Sequence, residues 1–296
     1  MLEQLQGFHI EPTNICTLKC PRCARTEFIN KSSHWKNQQL NLTHLKKFLD
    51  IDLKHKNFAI CGVYGDPIYY NDLIELVTWI KEQNGKVQIV TNGSYKDKNW
   101  WQSLCSLLTK ADSIYFAIDG IPENFTKYRV NADWQSIQIG IEQAVKNTTA
   151  IWKYIPFSFN ENDIDKANKI ATDLGMNFFI EPSDRWNSDS DPLKSSKFVG
   201  ARYNHVIGWH TDSKSTVDAR CKKNHSEHFI SAAGQYLPCC FVADHRFFYQ
   251  SDFYKNQTQY DISTTTISEI LHKLENFYNS IETQQPKYCK FNCPKL

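Results

Sequence analysis

The sequence predicts an α/β protein: an open, partial (β/α)6 TIM-like barrel over residues 1–190, then a small α+β unit over 191–296. Three observations predict it. Strand-like and helix-like stretches alternate from residue 8 to about 183. Each strand-like stretch is a short apolar run closed by polar or turn residues, as in strands buried within a parallel sheet. The alternation then breaks at the polar, turn-rich "DRWNSDSDPLKSSKFVG" of residues 184–200, which marks the boundary. Six strands with five intervening helices imply right-handed crossovers, and six units are too few to close an eight-fold barrel.

In chain order, "FHIEPT" (8–13) reads as the first strand and runs into a cysteine-rich loop. "FAICGVYGDP" (58–67), "KVQIVTNG" (86–93), "SIYFAIDG" (113–120), "IWKYIPFSFN" (151–160) and "MNFFIEPS" (176–183) repeat its form. Between them the apolar period is helical. Leu73, Leu76, Val77 and Ile80 share one face, with Asn71 or Asp72 as N-cap and Gly85 past the end. Trp134, Ile137, Ile141 and Ala144 share another; so do Ile164, Ala167, Ala171 and Leu174, between Asp163 as cap and Gly175 as stop. Helices at about 43–54, capped by Thr43, and at about 97–110 fill the remaining gaps. Beyond the boundary, "HFISAAGQYLPCC" (228–240) reads as two short strands around a Gly234 turn, and residues 266–281 read as a helix.

Composition narrows the classes. The chain has 296 residues and a formal charge of +2, with no charge block to mark a broad nucleic-acid face. The opening "MLEQLQGFHI" lacks a basic region followed by an apolar run, so no signal peptide is expected. No segment approaches the roughly 20 apolar residues of a membrane span. A cytoplasmic protein is expected. Ten cysteines in such a chain point to metal binding or redox chemistry rather than disulfides. They fall unevenly: Cys16, Cys20 and Cys23 together, Cys61 and Cys105 alone, and Cys221, Cys239, Cys240, Cys289 and Cys293 in the last third. One metal site at each end of the fold is the expectation.

The first set is "CTLKCPRC", residues 16–23. Structural zinc wants four ligands, commonly as two CxxC-type pairs, and this stretch has one pair and one extra thiol. Four thiolates saturate a cubane [4Fe–4S] cluster; three leave one iron with an open position for a small molecule. In spacing and placement after a first strand, CxxxCxxC resembles the signature of the radical S-adenosylmethionine (SAM) enzymes. The alternative for these residues is zinc or a chance cluster.

The resemblance implies the rest of a SAM site at the C-terminal strand ends. There the open iron chelates the methionine part of SAM, and cluster reduction releases a 5′-deoxyadenosyl radical that takes a hydrogen atom from substrate. "GVYGDP" is similar to the GGEP-type segment that holds the SAM ammonium, with Gly65, Asp66 and Pro67 here and Asp in place of the usual Glu. An ordinary helix-capping turn is the other reading. Asn92 of "TNG" and Asp119 of "AIDG" are candidates for ribose hydroxyls, and Arg129 for a two-pronged contact with the SAM carboxylate. Ser158 and Asn160 follow the fifth strand, near the expected ribose. Many relatives carry an aromatic residue just before the third cysteine; here it is Arg22, so that role is not carried over.

Cys221, twelve residues, Gly234, four residues and Cys239 match the opening of the SPASM and twitch extensions of these enzymes. The remaining cysteine count suits a twitch-like domain with one auxiliary iron–sulfur cluster, a [4Fe–4S] type, on Cys221, Cys239, Cys289 and Cys293. A four-thiolate zinc site is the alternative. Cys240 faces away from its neighbour by strand alternation. Cys61 and Cys105 read as small core residues. Glu11, Glu181 and Arg185 lie at or beyond strand ends and are candidate substrate contacts, with structural ion pairs as the other reading.

The expected activity is that of a radical SAM oxidoreductase. It oxidises a small polar metabolite, the auxiliary cluster accepts an electron, and a flavodoxin- or ferredoxin-type partner supplies the first one. The alternatives are radical modification of a peptide or protein side chain and, in another class, a non-catalytic zinc or iron–sulfur binding protein.

Overall fold

The structure, a computed structural model, describes residues 2–183, 186, 188–198, 217–219, 221 and 228–293. Arg185 lies outside the described residues. Six strands carry the expected alternation: β1 (Gly7–Ile10), β2 (Asn57–Ile60), β3 (Lys86–Thr91), β4 (Ser113–Ala117), β5 (Thr149–Tyr154) and β6 (Asn177–Ile180). Each of the first five pairs in parallel with its successor, and β6 forms one sheet edge. Four crossover helices follow β2 to β5: α3 (Leu73–Glu82), α4 (Lys98–Ser106), α5 (Trp134–Asn147) and α6 (Ile164–Asp173).

The first crossover differs from the expectation. It holds two helices, α1 (Ala24–Lys31) and α2 (Leu42–Phe48). Phe28 is the one buried residue of α1, so "ARTEFINK" offers no apolar period to read. In α2 the cap is Asn41, whose side chain accepts from the His44 N–H at 2.9 Å, rather than Thr43, which lies inside the helix.

The sheet does not stop at β6. A hairpin, β7 (His228–Ile230) and β8 (Tyr236–Leu237), turns at Gly234, whose φ of +80° suits glycine. β7 lies parallel to β1, with Phe8 opposite His228 and Ile10 opposite Ile230. The order is β6-β5-β4-β3-β2-β1-β7-β8, so the hairpin extends the barrel sheet across the expected boundary at residue 190. Beyond it come α7 (His245–Phe248), α8 (Asp252–Lys255), α9 (Ile267–Gln284) and α10 (Lys287–Asn292). α9 opens with a capping box between Thr266 and Glu269.

Strand alternation decides what faces the site. On β5, Ala150, Trp152 and Tyr154 are buried against the helices, while Ile151 and Lys153 point to the other face. On β2, Phe58 and Ile60 are fully buried and Cys61 follows on the opposite face. Among the described residues no helix is long and apolar enough to cross a membrane.

Candidate active site

A cleft of about 220 Å³ opens at the C-terminal ends of the strands. The three-cysteine loop forms one wall, with Cys16, Cys20 and Cys23 all in its lining. Backbone bonds fix the loop at both ends. The Asp66 N–H donates to Ile15 O at 2.9 Å, and the Lys19 N–H donates to Val130 O at 3.0 Å. Asn14 ties it to the next loop, donating to Lys36 O at 2.7 Å and accepting from the Gln38 N–H at 2.8 Å. Gly65 is required where these loops meet: a Cβ there would lie 1.9 Å from Thr13 O.

Asp66 is both turn cap and site residue. Its buried carboxylate accepts from the Ile68 N–H at 3.2 Å, the Thr91 hydroxyl at 2.7 Å, and the backbone N–H of Asn92 at 2.6 Å. The Asn92 side-chain amide also donates to it and reaches Cys16 Sγ at 3.7 Å. Burial pushes the Asp66 carboxyl up, opposed by these hydrogen bonds and by Arg129. Asp66 and Asn92 thus form one locked unit beside the first cysteine.

Asp119 and Arg129 pair with each other. Arg129 Nη2 lies 2.5 Å from Asp119 Oδ2, and Arg129 Nη1 approaches Cys20 Sγ at 3.9 Å. Asp119 is fully buried and also accepts from the Ile155 N–H at 2.9 Å. It therefore does not present itself to a ribose, as the sequence reading expects; it holds Arg129, which lines the cleft. Burial raises the Cys20 thiol, and Arg129 opposes that rise. Burial, followed by the charge of Asp66, pushes Cys16 up to about 12.

Two other expectations need correction. Asn160 is fully buried and spends its side chain on turn geometry: it donates to Asp119 O and Ile155 O at 3.0 and 3.1 Å and accepts from the Phe157 N–H at 2.6 Å. Ser158 is exposed and donates to Pro192 O at 2.5 Å. Neither lines the cleft. Ser158 belongs instead to the seam with residues 188–198, the stretch read as a boundary. Asp191 of that stretch takes a two-pronged contact from Arg22, with Nε and Nη2 each at 3.0 Å, and Ser195 donates to Glu161 at 2.6 Å. Arg22 is thus committed to Asp191. Apolar cover beside the cysteine loop comes from Leu18, Tyr128, Phe157 and Trp186.

Of the candidate substrate contacts, Glu11 does not line the cleft. Its buried carboxylate accepts from the N–H groups of Tyr64 at 2.7 Å and Gly65 at 3.2 Å, anchoring the loop that carries Asp66. Burial pushes it up to about 7 against those bonds. Glu181 does line the cleft, as an ion pair with Lys153. Lys153 is absent from the sequence reading, although its place between Trp152 and Tyr154 signals an inward position by alternation. Cys61, read as core, also lines the cleft; its Sγ lies 3.0 Å from His9 Nε2. Its charged neighbours are Lys153, Glu11, Asp66 and Glu181 rather than the three-cysteine loop. Cys105 is buried in the core as expected.

The second cysteine set lies under β7, α9 and α10. Cys221, Cys239 and Cys289 are buried and Cys293 is half-buried. Burial raises the Cys239 thiol, with further push from Cys240, Cys221 and Cys289; Cys289 responds to burial, Cys221 and Cys293. Cys221, Cys239 and Cys289 are thus electrostatic neighbours, and Cys293 is a neighbour of Cys289. Cys240 contacts His9 instead: burial pushes the imidazole down, and Cys240, the Cys61 carbonyl and Glu11 together leave it raised. Besides the β1–β7 pairing, Tyr64 links the two parts of the chain: its hydroxyl donates to Ala243 O at 2.8 Å and accepts from the His245 N–H at 2.5 Å.

Among the described residues no three His, Cys, Asp or Glu side chains converge as ligands of a single ion. A cubane cluster takes each thiolate on a different iron, so its ligands stand apart. Three thiols on a pinned loop, an adjacent guanidinium and an apolar flank fit such a group.

The radical SAM superfamily matches residues 10–168. No curated protein sequence matches. Among solved structures, SuiB of Streptococcus suis bound to S-adenosylmethionine is similar at a TM-score of 0.61 and 13% identity, covering 97% of this chain and 72% of that one. BtrN in complex with AdoMet and 2-DOIA is similar at 0.51 and 14% identity, covering 99% and 94%. SuiB bound to its precursor peptide SuiA gives 0.58 and 13%, covering 88% and 65%. At these identities the likeness is one of fold.

Proposed function

The chain belongs to the radical SAM superfamily, and from that premise we propose that it binds SAM in the strand-end cleft and oxidises a small polar metabolite there. The observation that carries this reading is the loop of Cys16, Cys20 and Cys23 set in the wall of a cleft with mixed polar and apolar lining. When bound on those thiols, a [4Fe–4S] cluster supplies the electron that cleaves SAM to a 5′-deoxyadenosyl radical. The protein's own residues do the positioning. Asp66 and Asn92, joined as one unit beside Cys16, and Gly65, which lines the cleft, border the amino-acid end of SAM. Arg129, held by Asp119, brings a fixed cation to the loop. Leu18, Tyr128, Phe157 and Trp186 exclude water from the Cys20 side.

We assign Cys221, Cys239, Cys289 and Cys293 to an auxiliary iron–sulfur cluster in a twitch-like unit that accepts the substrate electron. The burial of Cys221, Cys239 and Cys289 and their electrostatic coupling, which reaches Cys293 through Cys289, support this assignment. A flavodoxin- or ferredoxin-type donor and a cytoplasmic location complete the proposal. The peptide reading draws on SuiB with its precursor peptide, a likeness of fold. The paired charges of Lys153 and Glu181 across the cleft from the cysteines favour a polar metabolite.

Anaerobic reconstitution tests the proposal. Reduced protein should give a paramagnetic signal that SAM alters, and should release 5′-deoxyadenosine under dithionite. A protein that takes up no iron, or whose reduced signal is indifferent to SAM, overturns it.

A further inference from the structure

We infer that Lys153 and Glu181 form the substrate-recognition pair of this cleft, and that the substrate carries an amine and an oxygen function on adjacent carbons. The inference rests on the SAM-cleaving reading above and names the substrate chemistry within it.

The pair is built into the cleft, not onto the surface. Lys153 projects from the inward face of β5, whose other face buries Trp152 and Tyr154 completely. Glu181 follows β6 and takes the Lys153 ammonium as a close ion-pair partner. Both line the same cleft as Cys16, Cys20 and Cys23. The ammonium also acts electrostatically on Cys61, beyond β2, and on Asp119, beyond β4.

A purely structural role is a poor account of the pair. The side chains remain 23% and 45% exposed, and ion pairs with that access to water add about 0–1 kcal/mol. Strands β5 and β6 are already joined by four register pairs. The pair has unused capacity as well. An ammonium has three donors and a carboxylate about four acceptor positions, and one contact uses few of them.

The cleft lining is mixed, and its apolar part is Leu18, Val63, Val90, Ala117, Ile155 and Pro182. An apolar occupant would cut Lys153 and Glu181 off from water without replacing their hydrogen bonds, which is costly. An occupant whose C–H faces meet the wall and whose edge presents a donor beside an acceptor would satisfy both. Glu181 takes the ammonium and Lys153 the neighbouring oxygen. The two side chains touch each other, so the groups they recognise must also be neighbours.

Isothermal titration of reconstituted, SAM-loaded protein tests this with D-glucosamine, D-glucose, cyclohexylamine and a lysine-containing tripeptide as probes. Glucosamine should bind at least tenfold more tightly than each of the others. Glu181→Gln should bring glucosamine down to the level of glucose, and Lys153→Met should weaken glucosamine and glucose alike. Neither change should alter iron content, melting temperature by more than a few degrees, or SAM affinity. Equal binding of glucosamine, glucose and cyclohexylamine, or no binding by glucosamine, overturns the inference. So does indifference to both substitutions, or a parallel loss of SAM affinity. Preferred binding of the tripeptide overturns the small-molecule assignment. A SAM-induced change in the reduced signal is recorded first: its absence defeats the SAM reading, and its presence with a failed probe series defeats this inference alone.

Discussion

The two cysteine sets are built to opposite plans. Cys16, Cys20 and Cys23 stand on a loop at the edge of a cleft, held by polar devices: the Asp66–Asn92 unit, the Asp119–Arg129 pair and the Arg22–Asp191 clasp. Cys221, Cys239 and Cys289 are buried beneath helices whose inward residues are apolar, with Leu271, Leu274 and Ile281 of α9 almost fully buried. A site that must admit a ligand cannot rely on close packing on its open side, so hydrogen bonds do the positioning there. A site proposed only to pass electrons can be sealed.

The sharpest way to break that comparison is to remove one thiol from each set. Cys20→Ala should lower 5′-deoxyadenosine release by on the order of 10³-fold. Cys239→Ala should leave basal release within about threefold while total iron falls by about half. Iron analysis with product chromatography reads both; equal loss of basal release in the two variants would erase the distinction between an open and a sealed site.

Next in size is the polar support of the open site. Asp119→Ala leaves the Arg129 guanidinium without its buried partner and should cost about 3–5 kcal/mol in denaturant unfolding. A cost below about 1 kcal/mol would mean the pair is solvated, and the contrast between polar and apolar support would weaken.

Glu11 gives a pH test of the same support. Its native pKa of about 7 lies above the ordinary 4.5. Between those values the folded protein retains a proton that the unfolded chain has released, so stability falls as pH rises through the window. The full fall is about 3 kcal/mol. Glu11→Gln keeps an acceptor for Tyr64 and Gly65 and should flatten this component; urea unfolding at pH 5 and pH 8 compares the two proteins. A wild type with no greater decline than the variant would show that Glu11 is ionised at no cost.

The smallest effect belongs to the join between the regions. Tyr64→Phe removes the hydroxyl that bridges Ala243 and His245 and should cost about 1 kcal/mol. Hydrogen exchange at the His245 amide should accelerate more than at the amides of β3. Uniform acceleration would mean that the join is not a local feature.

Much of this was legible in the residues. The β strands announce themselves as short apolar runs closed by turn residues, helices α3, α5 and α6 by period, and the CxxxCxxC spacing marks the loop at the cleft. Helix α1 does not, because Phe28 alone is buried on it. Side-chain partnership was the harder part. Asp119, Arg129, Asn160 and Ser158 all carry groups suited to a nucleoside, yet three of them are spent on neighbours that only the folded chain brings close: Asp119 on Arg129, Asn160 on the turn beneath it, Ser158 on Pro192. Residue type limits what a group can bind; it does not say who reaches it first. Lys153 was within reach of inspection, since strand alternation sends it to the face opposite Trp152 and Tyr154.

The pairing of Phe8 with His228 has a consequence for biogenesis. On a ribosome, β1 emerges early and gains β2 after a short wait, but its other edge has no partner until more than two hundred further residues have been made. Contacts so distant in the chain form late, and an unpaired edge invites association with other chains meanwhile. The strand that leads into the cysteine loop has both edges paired only when β7 docks. Iron delivered to a nascent chain would meet a half-made receptacle; insertion is expected after translation ends, and truncation before residue 228 should yield protein that aggregates and fails to mature.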